Sequence, residues 1–167
     1  IWTDIVTYDS VAFGNMMLQA YNFGADYDAW WDNASAGSDC SSPIFVSPFK
    51  AGVVDDISYA QEDVLAYDAA ADEWSLFFDG SAWGLATTRS WQQNVNAIYI
   101  PDPETPVGMV MSFWHNRRPV PGIAGFVNGQ DLVEFNGTDF EMYFDGSDVG
   151  LTLATPEKID GLHILPG

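Results

Sequence analysis

The chain has 167 residues, 5 Lys plus Arg against 24 Asp plus Glu, and a formal net charge of −19. That length suits one ordinary domain. The charge leaves nothing to neutralise a run of phosphates or to dock on an anionic bilayer, which argues against nucleic-acid binding and membrane attachment. The aromatic content, 15%, argues against a disordered acidic chain. No apolar run reaches the roughly 18 residues a spanning helix needs, so no membrane insertion is expected.

The acids are mostly Asp, and Asp, Gly, Pro and Asn favour turns over helix interiors. A chain of short strands is therefore expected. In chain order the first strand segments are Asp4 to Asp9 and Met17 to Tyr21, then Tyr27 to Trp31, then Ile44 to Phe49. Asp63 to Asp68 and Trp74 to Phe78 follow, joined by a loop through the Ala-rich piece Ala69-Ala70-Ala71. Beyond them lie Val95 to Ile100, Gly108 to Phe113, Asp131 to Phe135, Phe140 to Phe144 and Leu162 to Leu165. All are rich in β-branched or aromatic residues, and Pro101-Asp102-Pro103, Asn128-Gly129 and Asn136-Gly137 supply turns between them.

These segments repeat. Phe78-Asp79-Gly80-Ser81 recurs 66 residues later as Phe144-Asp145-Gly146-Ser147, with matching flanks. Val95 to Pro101 matches Ile159 to Ile164, and Ile44 to Phe49 matches Met109 to Phe113. The pattern predicts an all-β chain of tandem four-stranded antiparallel repeats, β-propeller-like blades with strands a, b, c and d, forming an incomplete ring. Residues 1–26 would be a partial blade (strands c and d), 27–94 and 95–158 two blades, and 159–167 the first strand of a further one. A β-sandwich with a duplicated hairpin is the alternative. Two blades and remnants cannot close a ring, so the expectation is a piece of a longer protein or an assembly of copies that covers exposed edges.

The runs Tyr143-Phe144-Asp145-Gly146-Ser147-Asp148-Val149-Gly150-Leu151 and Ile159-Asp160-Gly161-Leu162-His163-Ile164-Leu165-Pro166-Gly167 resemble a tandem repeat of secreted bacterial proteins. The resemblance covers residues 63 to 167 well and 1 to 62 loosely. It implies a propeller-like fold and an extracellular, cell-surface or periplasmic setting. It implies no activity and carries no catalytic residues.

Candidate metal ligands are Asp145, Ser147 and Asp148, with Asp79 as the repeat equivalent. Oxygen side chains on a Gly turn suit Ca2+, the one cofactor expected, although no Glu stands twelve places on to complete an EF-hand loop. The competing reading is a strand-ending turn in which Asp accepts backbone N–H bonds. Asp4, Asp9, Asp55 and Asp56 are weaker cation candidates, with no spacing rule met. Asp28, Asn96 and Asp160 align at the entry to strand a, where a hydrogen bond to the neighbouring repeat is the favoured reading. Trp91, Trp114, His115, Arg117 and Arg118 are the candidate ligand-binding residues. Trp114 to Arg118 holds the one basic cluster, set to grip an anion or an acidic neighbour, or simply to pair with nearby carboxylates. Trp31, Trp74, Trp83 and His163 sit at repeat-equivalent positions and read as packing residues.

Cys40 stands alone beside Asp39, so no intrachain disulfide forms and a reactive thiolate is not expected. No zinc spacing, nucleophile elbow or phosphate-binding Gly loop occurs. Asn33-Ala34-Ser35 and Asn136-Gly137-Thr138 are sequons. The expected function is a non-enzymatic, secreted or surface-exposed β-repeat module in assembly or adhesion, partnered by other subunits or by the rest of a longer chain. The alternatives are part of a propeller enzyme (a Ca2+-dependent phosphoesterase or a glycosidase) and a carbohydrate-binding module with a glycan partner.

Overall fold

The computed structural model describes residues 31–36, 43–68, 71–85, 93–152 and 157–164. Within them the chain is all-β. One sheet has the order β1 (Trp31–Ala36), β2 (Ile44–Pro48), β5 (Val64–Asp68), β6 (Glu73–Phe78). A second has β7 (Val95–Tyr99), β8 (Met109–Phe113), β9 (Leu132–Phe135), β10 (Phe140–Phe144) in that order. A separate hairpin joins β3 (Gly52–Val54) to β4 (Ile57–Tyr59). Every pairing is antiparallel, and neither four-stranded sheet closes on itself. Among the described residues no helix is long and apolar enough to cross a membrane.

The two large sheets share their registers and their irregularities. The β1–β2 ladder slips between Trp31 and Asn33, and the β7–β8 ladder slips between Val95 and Ala97. The β5–β6 ladder slips between Val64 and Leu65, and the β9–β10 ladder slips between Met142 and Phe144, opposite Leu132. A bulge adds a residue, bends its strand and raises its twist, so its repetition makes both sheets curve alike.

The shared register also corrects an alignment. Asn33 pairs with Ser47 and Ala97 with Ser112, which makes Asp32, not Asp28, the counterpart of Asn96. Strand β1 accordingly runs from Trp31 to Ala36, beyond the expected Tyr27 to Trp31. The match Asp28-Ala29-Trp30-Trp31 had aligned composition rather than bulge position. Residues 27–30 lie outside the described residues, as do the segments Asp4 to Asp9 and Met17 to Tyr21.

Burial grades across each sheet. Strands β2 and β8 are buried at every position, including Ser47 and Ser112 within their otherwise mostly apolar runs. The outermost strands β6 and β10 are largely exposed. A single core joins the sheets: Phe45, Val64 and Phe78 from the first pack with Met109, Met111, Phe113, Phe135 and Phe140 from the second. The ring of Phe78 lies edge-on to Phe135 and Phe140, at 5.2 and 6.4 Å between centroids. Strand β7 lies beside β1 and β2, so the two sheets meet along their first strands.

The β3–β4 hairpin was not anticipated. Val53-Val54 and Ile57-Ser58-Tyr59 flank Asp55-Asp56, which take φ of 46° and 65°. Both values lie in the left-handed region that Asp tolerates and that a two-residue hairpin of the I′ kind demands. Two β-branched runs separated by two Asp residues carried that signal. Asp55 and Asp56 are turn residues, and the hairpin packs Val54 and Tyr59 over Leu65.

Residues 157–164 carry no strand, where a further strand a had been expected. A strand is defined by its ladder, and the described residues offer this segment no ladder partner.

Candidate functional site

Each outer strand ends in an Asp-Gly-Ser turn. After β6, the Asp79 carboxylate accepts from the Ser81 hydroxyl at 2.7 Å and from the Ala82 N–H at 3.1 Å. After β10, Asp145 accepts from the Ser147 N–H at 2.9 Å and its hydroxyl at 2.6 Å. Short 3₁₀ turns follow, at Ser81–Trp83 and Gly146–Val149. They close when the Leu85 N–H donates to the Gly80 carbonyl and the Leu151 N–H to that of Gly146. The two Ser147 bonds stabilise the charged form of Asp145 and hold its carboxyl below the usual carboxylate range. Asp79 and Asp145 thus cap their own turns with Oδ1. Asp148 is exposed in the second turn, and Asp79 belongs to a different sheet from Asp145, Ser147 and Asp148. Among the described residues no three His, Cys, Asp or Glu side chains are placed to hold a metal ion.

A second pair of acids was seen in the sequence only as strand-leading residues. Asp63, 5% exposed, accepts from the Ala60 N–H at 2.6 Å and the Gly80 N–H at 2.9 Å. Asp131, 2% exposed, accepts from the Asn128 N–H at 2.8 Å and the Gly146 N–H at 3.1 Å. In both sheets one buried carboxylate therefore ties the turn before its third strand to the Asp-Gly-Ser turn after its fourth. Burial pushes the Asp63 carboxyl up, and the two N–H bonds pull it back. The glycines permit this approach. A Cβ on Gly80 would stand 2.3 Å from the Glu62 carbonyl oxygen, and one on Gly146 would stand 2.5 Å from that of Gln130.

The same turns reach onward along the chain. The Val95 N–H donates to the Gln61 carbonyl at 3.1 Å, and the Ile159 N–H donates to the Gly129 carbonyl at 2.9 Å. The Ile159 carbonyl then accepts from Asn96 Nδ2 at 2.7 Å and Ser112 Oγ at 2.6 Å. Asn96 therefore bonds to the segment that follows β10 in the chain. Asp160 is exposed, and Asp28 lies outside the described residues. His163 is exposed too, with its ring edge toward Tyr99 at 6.3 Å, rather than the packed strand residue expected.

The basic loop is braced rather than free. Arg118 and Val127 exchange backbone bonds at 2.8 Å. Asn116 accepts from the Gly129 N–H and Asn128 from the Arg117 N–H. The Arg117 guanidinium lies over Phe126 at 5.3 Å from the ring centre. Lys158 places its ammonium 3.6 Å from the Trp114 ring centre, and Phe49 meets Trp114 edge-on. His115 lies within the electrostatic reach of both Arg118 and Lys158. Burial first, then those two cations, hold its imidazole below its ordinary pKa. The structure thus gathers Trp114, His115 and Arg118 with Lys158, turns Arg117 onto Phe126, and leaves Trp91 outside the described residues. Lys158 had no signal in the sequence, because its meeting with Trp114 spans more than forty residues.

Comparison with protein-family models, with curated proteins and with solved structures finds no match for this chain.

Proposed function

We propose that the chain is a non-enzymatic β-repeat module whose four-stranded sheets act as propeller-like blades, and that it works in assembly or adhesion at a cell surface or outside the cell. The observation that carries this reading is the seating of Ile159. Its N–H and carbonyl are held by Gly129, Asn96 and Ser112, and its N–H bond repeats the one that seats Val95 at the start of β7. On this reading Glu157 to Ile164 would serve as the inner segment of a further sheet, which a continuing chain or a second subunit would complete. Open strand edges and seated extended segments favour pairing with another β-element.

The test is assembly. Sedimentation of the purified chain across a concentration series is expected to show self-association, and Asn96→Ala with Ser112→Ala to weaken it while far-ultraviolet circular dichroism stays unchanged. A chain that sediments as a monomer at all concentrations, and that pairs with no extension of itself, would overturn the reading.

Calcium stabilisation is a separable part of the proposal, assigned to the Asp145–Asp148 turn. A ligand at 100 times its Kd adds about 2.7 kcal/mol, so excess Ca2+ is expected to raise the melting midpoint and EDTA to return it. Asp145→Asn is expected to remove the response. A midpoint indifferent to both additions removes Ca2+ from the proposal.

A further inference from the structure

Glu62 is 2% exposed, and its Oε1 is buried without a hydrogen-bond partner. It occupies in the first sheet the place of Gln130 in the second: each precedes the Asp that heads the third strand, and each backs onto the glycine of the Asp-Gly-Ser turn. Gln130 Nε2 donates to the Leu151 carbonyl at 3.1 Å. Leu85 is the counterpart of Leu151, since both donate to the glycine carbonyl of their own turn. An ionised carboxylate has no proton for that role, whereas a neutral carboxylic acid has one.

We propose that Glu62 works as a carboxylic acid that donates its proton toward the Leu85 carbonyl, as Gln130 donates its amide, so that the Ala60–Asp63 and Asp79–Leu85 turns, already joined through Asp63, gain a second clasp in acid and lose it as the carboxyl ionises. The two sheets would then differ in one property: the Gln130 clasp is permanent and the Glu62 clasp depends on pH.

The surroundings favour the proton. The Glu62 carboxyl is raised from 4.5 to about 7, chiefly by burial, with its own backbone N–H opposing. The charged groups facing it are Asp63 on its own turn and Asp79 at the end of β6, and both contribute to that rise. On the β7 side its neighbour Gln61 shares the Phe49 carbonyl with the amide of Asn94. The folded state therefore holds more protons than the unfolded state between these two values. The stabilisation is complete below about 4.5 and is lost as pH rises through about 7.

The experiment is a melting curve at each pH from 4.5 to 8.5 for the full chain, for Glu62→Gln and for Gln130→Glu. The wild-type folding constant is expected to fall by roughly two orders of magnitude more over this range than that of Glu62→Gln, which keeps the donor at every pH. Gln130→Glu is expected to add a second fall of the same sign. The infrared carbonyl band of a protonated carboxylic acid is expected near pH 6 in the wild type and to be reduced in Glu62→Gln. Parallel wild-type and Glu62→Gln profiles, or a band unchanged by the substitution, would overturn the proposal. Because Glu62→Gln is isosteric, a merely structural role would shift its whole profile without changing the slope.

Discussion

Phe135→Ala is expected to lower stability by about 3–5 kcal/mol, the range for truncating a buried Phe. Phe135, at the end of β9, is 1% exposed and belongs to the core that both sheets share. Its ring lies 5.2 Å from Phe78 of the first sheet, 5.3 Å from Phe140 of the second and 4.8 Å from Trp83. Alanine leaves a void that three neighbouring rings, each fixed by its own strand or turn, cannot all move to fill. Tyr143→Ala on the outer strand, where Tyr143 is 47% exposed, is the control and should cost well under about 1 kcal/mol. Chemical denaturation measures both. If the Phe135 variant loses no more than the Tyr143 variant, the sheets do not share one core. A broadened, two-step transition in the Phe135 variant would show instead that the sheets unfold separately once uncoupled.

Asp131→Ala should cost roughly 2–4 kcal/mol, because it strands two partners at once. The Gly146 and Asn128 N–H groups both end on this carboxylate in a buried site, and a buried donor left unsatisfied costs about 1–3 kcal/mol. Water does not replace the carboxylate easily, since Gly146 lies against Gln130 with no room for a Cβ. Asp131→Asn keeps an acceptor oxygen and should lose about half as much. Hydrogen exchange separates the clasp from general destabilisation: the Gly146 and Leu151 amides should lose protection before those of β8. Equal loss of protection across the whole sheet would refute a local clasp. Asp63→Ala makes the same prediction for Gly80, with the added pH dependence of its neighbour Glu62.

Much of the fold was readable because strands leave a local trace. The apolar run Met109–Phe113, the Asp-led segments ahead of Phe135 and Tyr67, and the paired Phe-Asp-Gly-Ser turns mark β8, β9, β5 and the ends of β6 and β10 without reference to anything distant. Strand β1 was misplaced because a bulge leaves no signature in composition. Its position emerges only when Asn33 is seen opposite Ser47 and Ala97 opposite Ser112. The Asp-Gly-Ser turns illustrate a different limit. Oxygen-rich turns suit both cations and backbone caps, and only geometry showed the Asp79 and Asp145 carboxylates closing on Ser81 and Ser147.

The sequence by itself determined the class of structure, the period of the repeat and the acidity, since strand propensity, turn chemistry and charge are properties of short segments and sums. The tertiary structure alone decided what the side chains do. It set Lys158 on Trp114, aimed Asn96 and Ser112 at Ile159, and buried Glu62 where its counterpart is an amide. The physical reason is that the value of a charge or a polar group depends on its dielectric surroundings and its partners, and those come from residues far away along the chain.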